Sequence, residues 1–302
     1  MSNNSTVTIA CALCVGGARE LYLAPALAAI SGAVDSLVVN DNSGLAQSEN
    51  VAILERSAFA ARGALRVARH PFRDFADMRD RAFAELASLA QRPDWVLFLD
   101  ADEVHGEQIR YIAREILPQL DVRYGSVDAY TYHFFGTFRW ITDVARRFVF
   151  YRYAPELRWE NAVHEKIVGL RGDPLVLPYA YHHYGNVAPP AMLARKHGRY
   201  FELGNPVARP PAEDAATAEI YLAKARDVRP YRAAHPRVAR AAIAALEAKF
   251  ASDFAPIDAG FRARRTTTMR AAAAVRGANE ALRVALRRVE HPLVYRAATR
   301  AR

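Results

Sequence analysis

Short apolar runs alternate with amphipathic segments along the first 120 residues. Buried strands are predicted at 7–13, 37–39, 65–67 and 95–99. Helices are predicted over 19–30, 51–62, 74–89 and 107–120. Strands and helices that alternate in this rhythm predict an α/β fold, with a mostly parallel central sheet and helices on both of its faces.

The pattern changes in the second half of the chain. Residues 129–184 read as short aromatic and β-branched segments, which predict a mixed sheet with long loops. Residues 188–302 are rich in Ala and Arg and are predicted to be mainly helical, with a Pro-rich linker at 205–211. We therefore divide the chain into a catalytic domain at 1–205 and a basic helical C-terminal extension at 206–302.

The positive charge is concentrated in that extension, which has a net charge of +10, whereas residues 1–205 have a net charge of −1, so that the formal total is +9. Residues 262–302 alone contain eleven arginines and two acids. A helix broken near Pro292 is predicted there, with one apolar stripe formed by Val275, Ala278, Leu282, Leu286, Val289 and Leu293. Such a helix either packs on the catalytic domain or lies on an anionic membrane leaflet.

The location expected for the protein is the cytoplasm, with the inner face of the cytoplasmic membrane as a peripheral site. No apolar run is long enough to predict a transmembrane helix, and the uncharged N-terminus predicts no signal peptide. Cys11 and Cys14 are the only cysteines. They lie in a predicted strand, where residues three apart face opposite sides, so we expect buried free thiols.

The strand at 95–99 ends abruptly in Asp100, Asp102 and Glu103. Ligands of parallel α/β sheets bind beyond the carboxyl ends of the strands, which is where these acids fall. Two carboxylates there suit Mg²⁺ or Mn²⁺ shared with a diphosphate, because such ions take their other ligands from phosphate and water. An acidic loop without a ligand is the alternative.

Further polar residues follow predicted strands or begin predicted helices. Asp41 can bind a ribose or a base, or it can form an Asx turn. Arg79 can bind a diphosphate, or it can form a surface salt bridge. His164 and His183 can each supply an imidazole to a metal or a phosphate, or pack as ordinary residues, and Glu165 can act as a general base.

In combination these motifs resemble the inverting family 2 glycosyltransferases of the GT-A fold, in particular the bacterial branch related to lipopolysaccharide-core and peptide glycosyltransferases. The resemblance covers about residues 5–200, and it departs at Arg19 and Asp80, where asparagines are usual, and at Gly44-Leu45. The matching segments are Arg19-Glu20, Asp41-Asn42-Ser43, Asp74 to Asp80, the DXD-like stretch Trp95 to Glu103, His164-Glu165, and His183-Tyr184-Gly185 followed by Lys196.

This resemblance implies a metal-dependent, inverting hexosyltransferase of cell envelope polysaccharide synthesis. The donor would be a nucleotide diphospho-sugar, expected to be a UDP-sugar, and the acceptor a hydroxyl of a glycan or a lipid-linked saccharide. Mn²⁺ or Mg²⁺ would be held by Asp100, Asp102 and His183. The implied donor-binding residues are Asp41, Arg79, Asp100 and His164. The implied general base is Glu165, with Asp143 next.

Aromatic residues downstream are candidates for contact with the acceptor, because sugars expose apolar faces to aromatic rings. Phe138, Trp140 and Trp159 are the candidate platforms, with core packing as the alternative.

Two other classes of protein remain as alternatives. A sugar nucleotidyltransferase would need a Gly-rich, basic loop after the first strand, but residues 12–17 contain no lysine. A non-enzymatic nucleotide- or anion-binding protein would act through the basic tail. That tail matches no nucleic-acid module, so we expect no nucleic-acid partner.

Overall fold

The computed structural model describes residues 7–205 and 209–299. In that part of the chain a large central sheet is accompanied by a sheet of two strands, at 158–160 and 166–168. The strands are β1 Ile9–Val15, β2 Ser36–Asp41, β3 Leu65–Arg69, β4 Trp95–Asp100, β5 Glu103–Val104, β6 Tyr124–Phe135, β7 Thr137–Arg152, β8 Arg158–Glu160, β9 Lys166–Val168, β10 Asp173–Asn186 and β11 Arg229–Pro230.

Helices connect the early strands and make up most of the C-terminal part. They are α1 Leu23–Ile30, α2 Glu49–Glu55, α3 Ala58–Ala61, α4 Phe75–Leu86, α5 Gln108–Tyr111, α6 Pro190–Glu202, α7 Glu219–Leu222, α8 Arg240–Lys249, α9 Ala251–Arg264 and α10 Thr267–Thr299.

The central sheet has the strand order β3-β2-β1-β4-β7-β6-β10-β5, with β11 paired to β7. Strands β1 to β4 are parallel to one another, and so are β6 and β10, whereas β7 runs antiparallel to β4 and β6. The order β3-β2-β1-β4 is that of half of a nucleotide-binding sheet. The predicted α/β fold, with helices around a central sheet and a C-terminal helical part, is confirmed. The sheet is mixed, because β5, β7 and β11 run antiparallel to the strands beside them.

The two faces of the sheet are covered by different helices. Alternate residues of β1 enter two separate cores, Cys11 with α1 and α5 on one face and Cys14 with α4 on the other. Both thiols are buried and free, as predicted. Burial raises the pKa of Cys14 to about 12, so the thiol is not a nucleophile at neutral pH.

Three predicted elements differ from the observed ones. The helix expected at 51–62 is two helices, because Ser57 interrupts it and caps α3 by accepting a hydrogen bond from Ala60 N. The helix expected at 107–120 is one α-turn followed by a π-helix at Ile112–Ile116 and a 3₁₀ turn that contains Pro118. Most of the short segments expected at 129–184 are parts of the long strands β6, β7 and β10, in which register shifts break the alternation of side chains, whereas β8 and β9 have three residues each.

The C-terminal helices α7 to α9 pack on the core of the sheet. Tyr221, Ile257 and Phe261 are fully buried in it. The carboxylate of Asp258 on α9 accepts hydrogen bonds from Thr137 Oγ1 and Trp140 Nε1 of β7, both at 2.8 Å. Burial of apolar area together with this polar contact fixes α9 against the sheet.

The last helix, α10, continues through Pro292, so the predicted break there is wrong. A proline has no backbone N–H to donate, but the backbone hydrogen bonds of the helical turns before and after it can keep the helix continuous. Ala273 is buried and Glu280 forms an ion pair with Arg229, so this face of α10 lies against the domain. None of the described helices is both long enough and apolar enough to cross a bilayer.

Candidate active site

Two predicted acids lie at the carboxyl ends of the strands on either side of β1. Asp100 is the last residue of β4 and pairs in register with Cys14, while Asp41 ends β2 and pairs with Val15. Both partners are at the end of β1, so the two acids flank this strand at one edge of the sheet. This is the edge at which ligands of α/β proteins bind.

Arg79 on α4 lies between two carboxylates. Asp74 begins α4 by accepting a hydrogen bond from Asp77 N at 2.8 Å, which places Arg79 one turn further along. Its Nη1 and Nη2 bind the two oxygens of Asp100 at 2.9 and 3.3 Å, and its Nε binds Glu165 Oε1 at 2.6 Å. Arg79 is 9% exposed. A buried cation thus balances two acids from distant parts of the chain.

Aromatic rings cover the same guanidinium. The Cζ atom of Arg79 lies 4.2 Å from the ring centre of Phe98 and 4.9 Å from that of Trp159. Burial would lower the pKa of Arg79, but the charges of Asp100 and Glu165 raise it above its usual value. Arg79 therefore stays charged, and cation–π contact adds to its ion pairs.

Glu165 lies in the loop between β8 and β9. Asn161 and His164 in this loop have φ values of 76° and 57°, and they are the non-glycine residues with positive φ in the described part of the chain. Backbone strain of this kind is concentrated at functional sites. His164 itself is exposed, with Nε2 3.3 Å from Asn205 Nδ2. The strained loop delivers Glu165 to Arg79 and turns His164 outwards.

Asp102 forms a second charged group beside the first. Its Oδ1 lies 3.3 Å from His183 Nε2 on β10, and its Oδ2 lies 3.5 Å from Lys196 Nζ on α6. Lys196 also donates to Gly185 O at 2.9 Å. A Cβ atom at position 185 would lie 2.3 Å from Asp102 Oδ2, so glycine is required for this close approach.

The charges around Asp102 reinforce one another. Burial would raise the pKa of Asp102, but His183 and Lys196 lower it below its usual value. Likewise burial would lower the pKa of His183, but Asp102 raises it above its usual value. The carboxylate is therefore ionised, which is the form that binds a metal or orients a cation.

These residues fit a divalent ion that is completed by its ligand. Asp102 Oδ1 is buried and has the ion-pair contact with His183 but no well-aligned hydrogen bond. A carboxylate oxygen suits Mn²⁺ or Mg²⁺, and His183 would add an imidazole nitrogen only after a bound ion had displaced its proton. In the described ranges, however, no three His, Cys, Asp or Glu side chains are gathered as for a metal, and Asp100 is engaged by Arg79. A bound diphosphate would have to supply the missing ligands.

Sequence reasoning assigned no role to two buried acids in this group. Burial, and to a smaller extent repulsion from Asp100, raises the pKa of Glu103 to about 7. Burial, and to a smaller extent repulsion from Asp102, raises the pKa of Glu20 to about 7. Both residues are in the matching motifs, but their burial depends on distant contacts, such as that between Tyr181 OH and Glu103 Oε1 at 3.3 Å.

His133 was missed as well, and it lies behind His183. The two Nδ1 atoms are 3.0 Å apart. Burial and the neighbouring His183 lower the pKa of His133 to about 4, so His133 is neutral at physiological pH. His133 on β6 is the register partner of His183 on β10, so the strand pairing is what brings the two rings together.

The remaining candidates lie apart from Asp102. Asp41 forms the Asx turn that was its alternative explanation, accepting from Ser43 N at 2.9 Å, but its Oδ2 is buried without a hydrogen bond. Asp143 is exposed on β7 and near enough to His133 to affect its pKa. The aromatic-platform prediction is wrong for Phe138 and Trp140, which are 2% and 4% exposed because they pack in the core.

The comparisons with known proteins found structural neighbours only. No family model and no curated protein sequence matches the chain. The structure is similar to S. aureus TarS 1-349 in complex with UDP-GlcNAc, with 15% identity, a TM-score of 0.31 and coverage of 42% of this chain and 34% of that chain. A further structure of S. aureus TarS has 13% identity and a TM-score of 0.38, with 67% of this chain and 41% of that chain covered.

A second neighbour is glucosyl-3-phosphoglycerate synthase from Mycobacterium tuberculosis in complex with Mn²⁺, UDP and glucosyl-3-phosphoglycerate. Its identity is 21% and its TM-score 0.29, with 42% of this chain and 45% of that chain covered. The chain thus spans less than half the length of these neighbours. These TM-scores are all below 0.5, so the neighbours do not indicate what the site does.

Proposed function

We propose that the chain is a GT-A glycosyltransferase that moves a sugar from a nucleotide diphospho-sugar, a UDP-sugar, to an acceptor hydroxyl with inversion. The observation that carries the proposal is the convergence of Arg79, Asp100, Asp102, Glu165 and Lys196 from separate elements at the carboxyl edge of the sheet. Acids that can hold a divalent ion stand there beside cations that can bind a diphosphate.

Each charged residue has a place in donor binding. Asp41, at the end of β2, would accept a hydrogen bond from the nucleoside through its Oδ2, which has no hydrogen bond and only a long contact of 3.9 Å with Arg69 Nε. Lys196 and Arg79 would attract the diphosphate, and His164 would contact it from the loop. Mn²⁺ or Mg²⁺, held by Asp102 with His183 and with Asp100 in support, would supply Lewis-acid stabilisation of the departing nucleoside diphosphate.

Glu165 is the proposed general base. Both contacts with Arg79 involve its Oε1, so Oε2 is the oxygen that would receive a proton. The acceptor hydroxyl oxygen attacks the anomeric carbon, its proton moves to Glu165, and the bond to the diphosphate breaks with its electron pair on the leaving group. Arg79 would hold Glu165 in position during this transfer. Asp143 is the second candidate.

The C-terminal part is proposed to determine where in the cell the protein is located. We assign residues 1–205 to catalysis and 206–302 to a basic extension of a cytoplasmic enzyme. Four large apolar side chains of α10, Val275, Leu282, Leu286 and Val289, are between 52% and 74% exposed. With the arginines beside them, they support peripheral contact with an anionic leaflet, where a lipid-linked acceptor for cell envelope polysaccharide would be found.

Donor hydrolysis tests the enzymatic proposal. The protein would be incubated with Mn²⁺ and a panel of UDP-, GDP- and TDP-sugars, and the released nucleoside diphosphate measured. We expect hydrolysis of one donor class, lost in Asp102→Ala and in excess EDTA. Arg195→Gln, which changes an exposed charge on α6 next to Lys196, is the matched control. Full activity of Asp102→Ala would refute the proposed site.

A further inference from the structure

A basic cavity lies on a different part of the molecule. It has a volume of about 390 Å³, between the start of β7, β11, the end of α9 and the first turn of α10. The residues around it are Arg139, Trp140, Pro230, Tyr231, Arg262, Arg265 and Arg270. Four of these seven are arginines, and the proposed transfer reaction uses none of them.

Two of the arginines are neutralised by carboxylates. Arg139 Nη1 lies 3.0 Å and Arg262 Nη2 lies 3.7 Å from Asp258 Oδ2. Arg139 has a second, longer contact of 3.7 Å with Glu247. Asp258 also accepts hydrogen bonds from Thr137 and Trp140 of β7. Its negative charge is therefore shared among several donors and only weakly compensates further cations.

The other two arginines lack such partners. No carboxylate within 7–205 or 209–299 forms an ion pair with Arg265 or Arg270. The Cζ atom of Arg265 lies 5.5 Å from the ring centre of Trp140, and its Nε is buried without a hydrogen-bond partner. Burial lowers the pKa of Arg265, and repulsion from Arg270, Arg232 and Arg276 lowers it further. The cavity therefore holds uncompensated positive charge.

An anion would remove this imbalance. A buried donor that is left without an acceptor costs free energy, and a cluster of like charges adds repulsion. Guanidinium groups match phosphate oxygens in a bidentate geometry, which favours a phosphoryl group over a small spherical anion. The volume is in the range of small-ligand pockets, so a substituent on the phosphate would also fit.

We propose that this cavity is a binding site for a phosphate monoester or diester, held by Arg265 and Arg270 against the wall formed by Trp140. The site goes beyond the proposed glycosyltransfer and does not depend on it. Its occupant is a phosphoryl group from either of two sources, a soluble phosphate ester or the headgroup of an anionic lipid.

Calorimetric titration of the full chain tests this proposal. The probes are inorganic phosphate, glycerol 3-phosphate and vesicles of phosphatidylglycerol in phosphatidylcholine. We expect the double variant Arg265→Gln/Arg270→Gln to bind the phosphate probes at least tenfold more weakly. Arg226→Gln, which removes an exposed arginine outside the cavity, should bind like the wild type. Donor hydrolysis should be unchanged in both variants, which separates this test from that of the active site.

The outcomes distinguish the sources. Binding of glycerol 3-phosphate by the wild type, with vesicle binding that is unchanged in the double variant, assigns the site to a soluble ester, and loss of vesicle binding in the double variant assigns it to a lipid headgroup. Arg270→Lys keeps the charge and loses the planar guanidinium group, so it should weaken phosphate binding by an intermediate factor. This variant replaces the double variant in the test if the double variant does not fold. Equal phosphate binding by wild type and the cavity variants, or no binding by the wild type, would overturn the proposal.

Discussion

Arg79→Met should destabilise the protein by about 3 kcal/mol, because removing one partner of a buried ion pair leaves an uncompensated buried charge. The Arg79 side chain is 10% exposed, and those of Glu165 and Asp100 are 15% and 35% exposed. We therefore take the lower end of the usual range, about 3–5 kcal/mol, because solvent screens the exposed part of Asp100. Methionine keeps the apolar contact with Phe98 and Trp159, so the loss reports on charge.

Urea unfolding at pH 7, followed by circular dichroism, measures this free energy. Arg81→Met is the matched control on the same helix, since Arg81 pairs with Asp77 at 2.8 Å but is more exposed, and it should cost less than about 1 kcal/mol. Adding Glu165→Gln to Arg79→Met should restore part of the loss, because one unpaired carboxylate is removed. A loss for Arg79→Met no larger than that for Arg81→Met would refute the idea that Arg79 balances the two acids.

Three further predictions concern catalysis, pH and the tail. Glu165→Gln should lower kcat by about a hundredfold with unchanged donor affinity, as for a general base; a parallel loss in donor titrations would place Glu165 at the diphosphate instead. Burial lowers the pKa of His105 to about 3, below the value of 6.5 expected in the unfolded chain. The neutral imidazole therefore contributes to the free energy of unfolding in full above pH 6.5, and this contribution is lost as the pH falls towards 3. Between pH 6 and 5 the wild type should lose about 1 kcal/mol more unfolding free energy than His105→Gln, and equal urea midpoint shifts would contradict this. Replacing Leu282, Leu286 and Val289 by serine should abolish sedimentation with phosphatidylglycerol vesicles at low salt, and unchanged sedimentation would exclude the stripe as the contact.

The parts of the fold that depend on local pattern were predictable from the sequence. The runs at 7–13 and 95–99 are β1 and β4 within two residues, because a strand buried on both faces has few polar interruptions. The long strands β6, β7 and β10 were not recognised, since bulges shift the alternation of their side chains and make one strand look like several.

The same distinction applies to the candidate site. Asp100 and Asp102 could be found because a change from apolar to acidic residues is visible in the chain itself. The contact between Arg79 and Glu165 joins residues 86 positions apart, and no local pattern contains it. Burial of Glu20 and Trp140 also depends on which distant elements cover them, which is decided by tertiary packing and not by the residue type.

The position of the two cysteines on opposite faces of β1 has a practical consequence. Both thiols are buried and their pKa values are raised, so maleimide reagents should not modify them in the folded protein. A single cysteine introduced on the exposed stripe of α10 can therefore carry a fluorophore without removal of the native ones. The wild-type background is thus suitable for direct spectroscopic measurement of how this helix meets a vesicle.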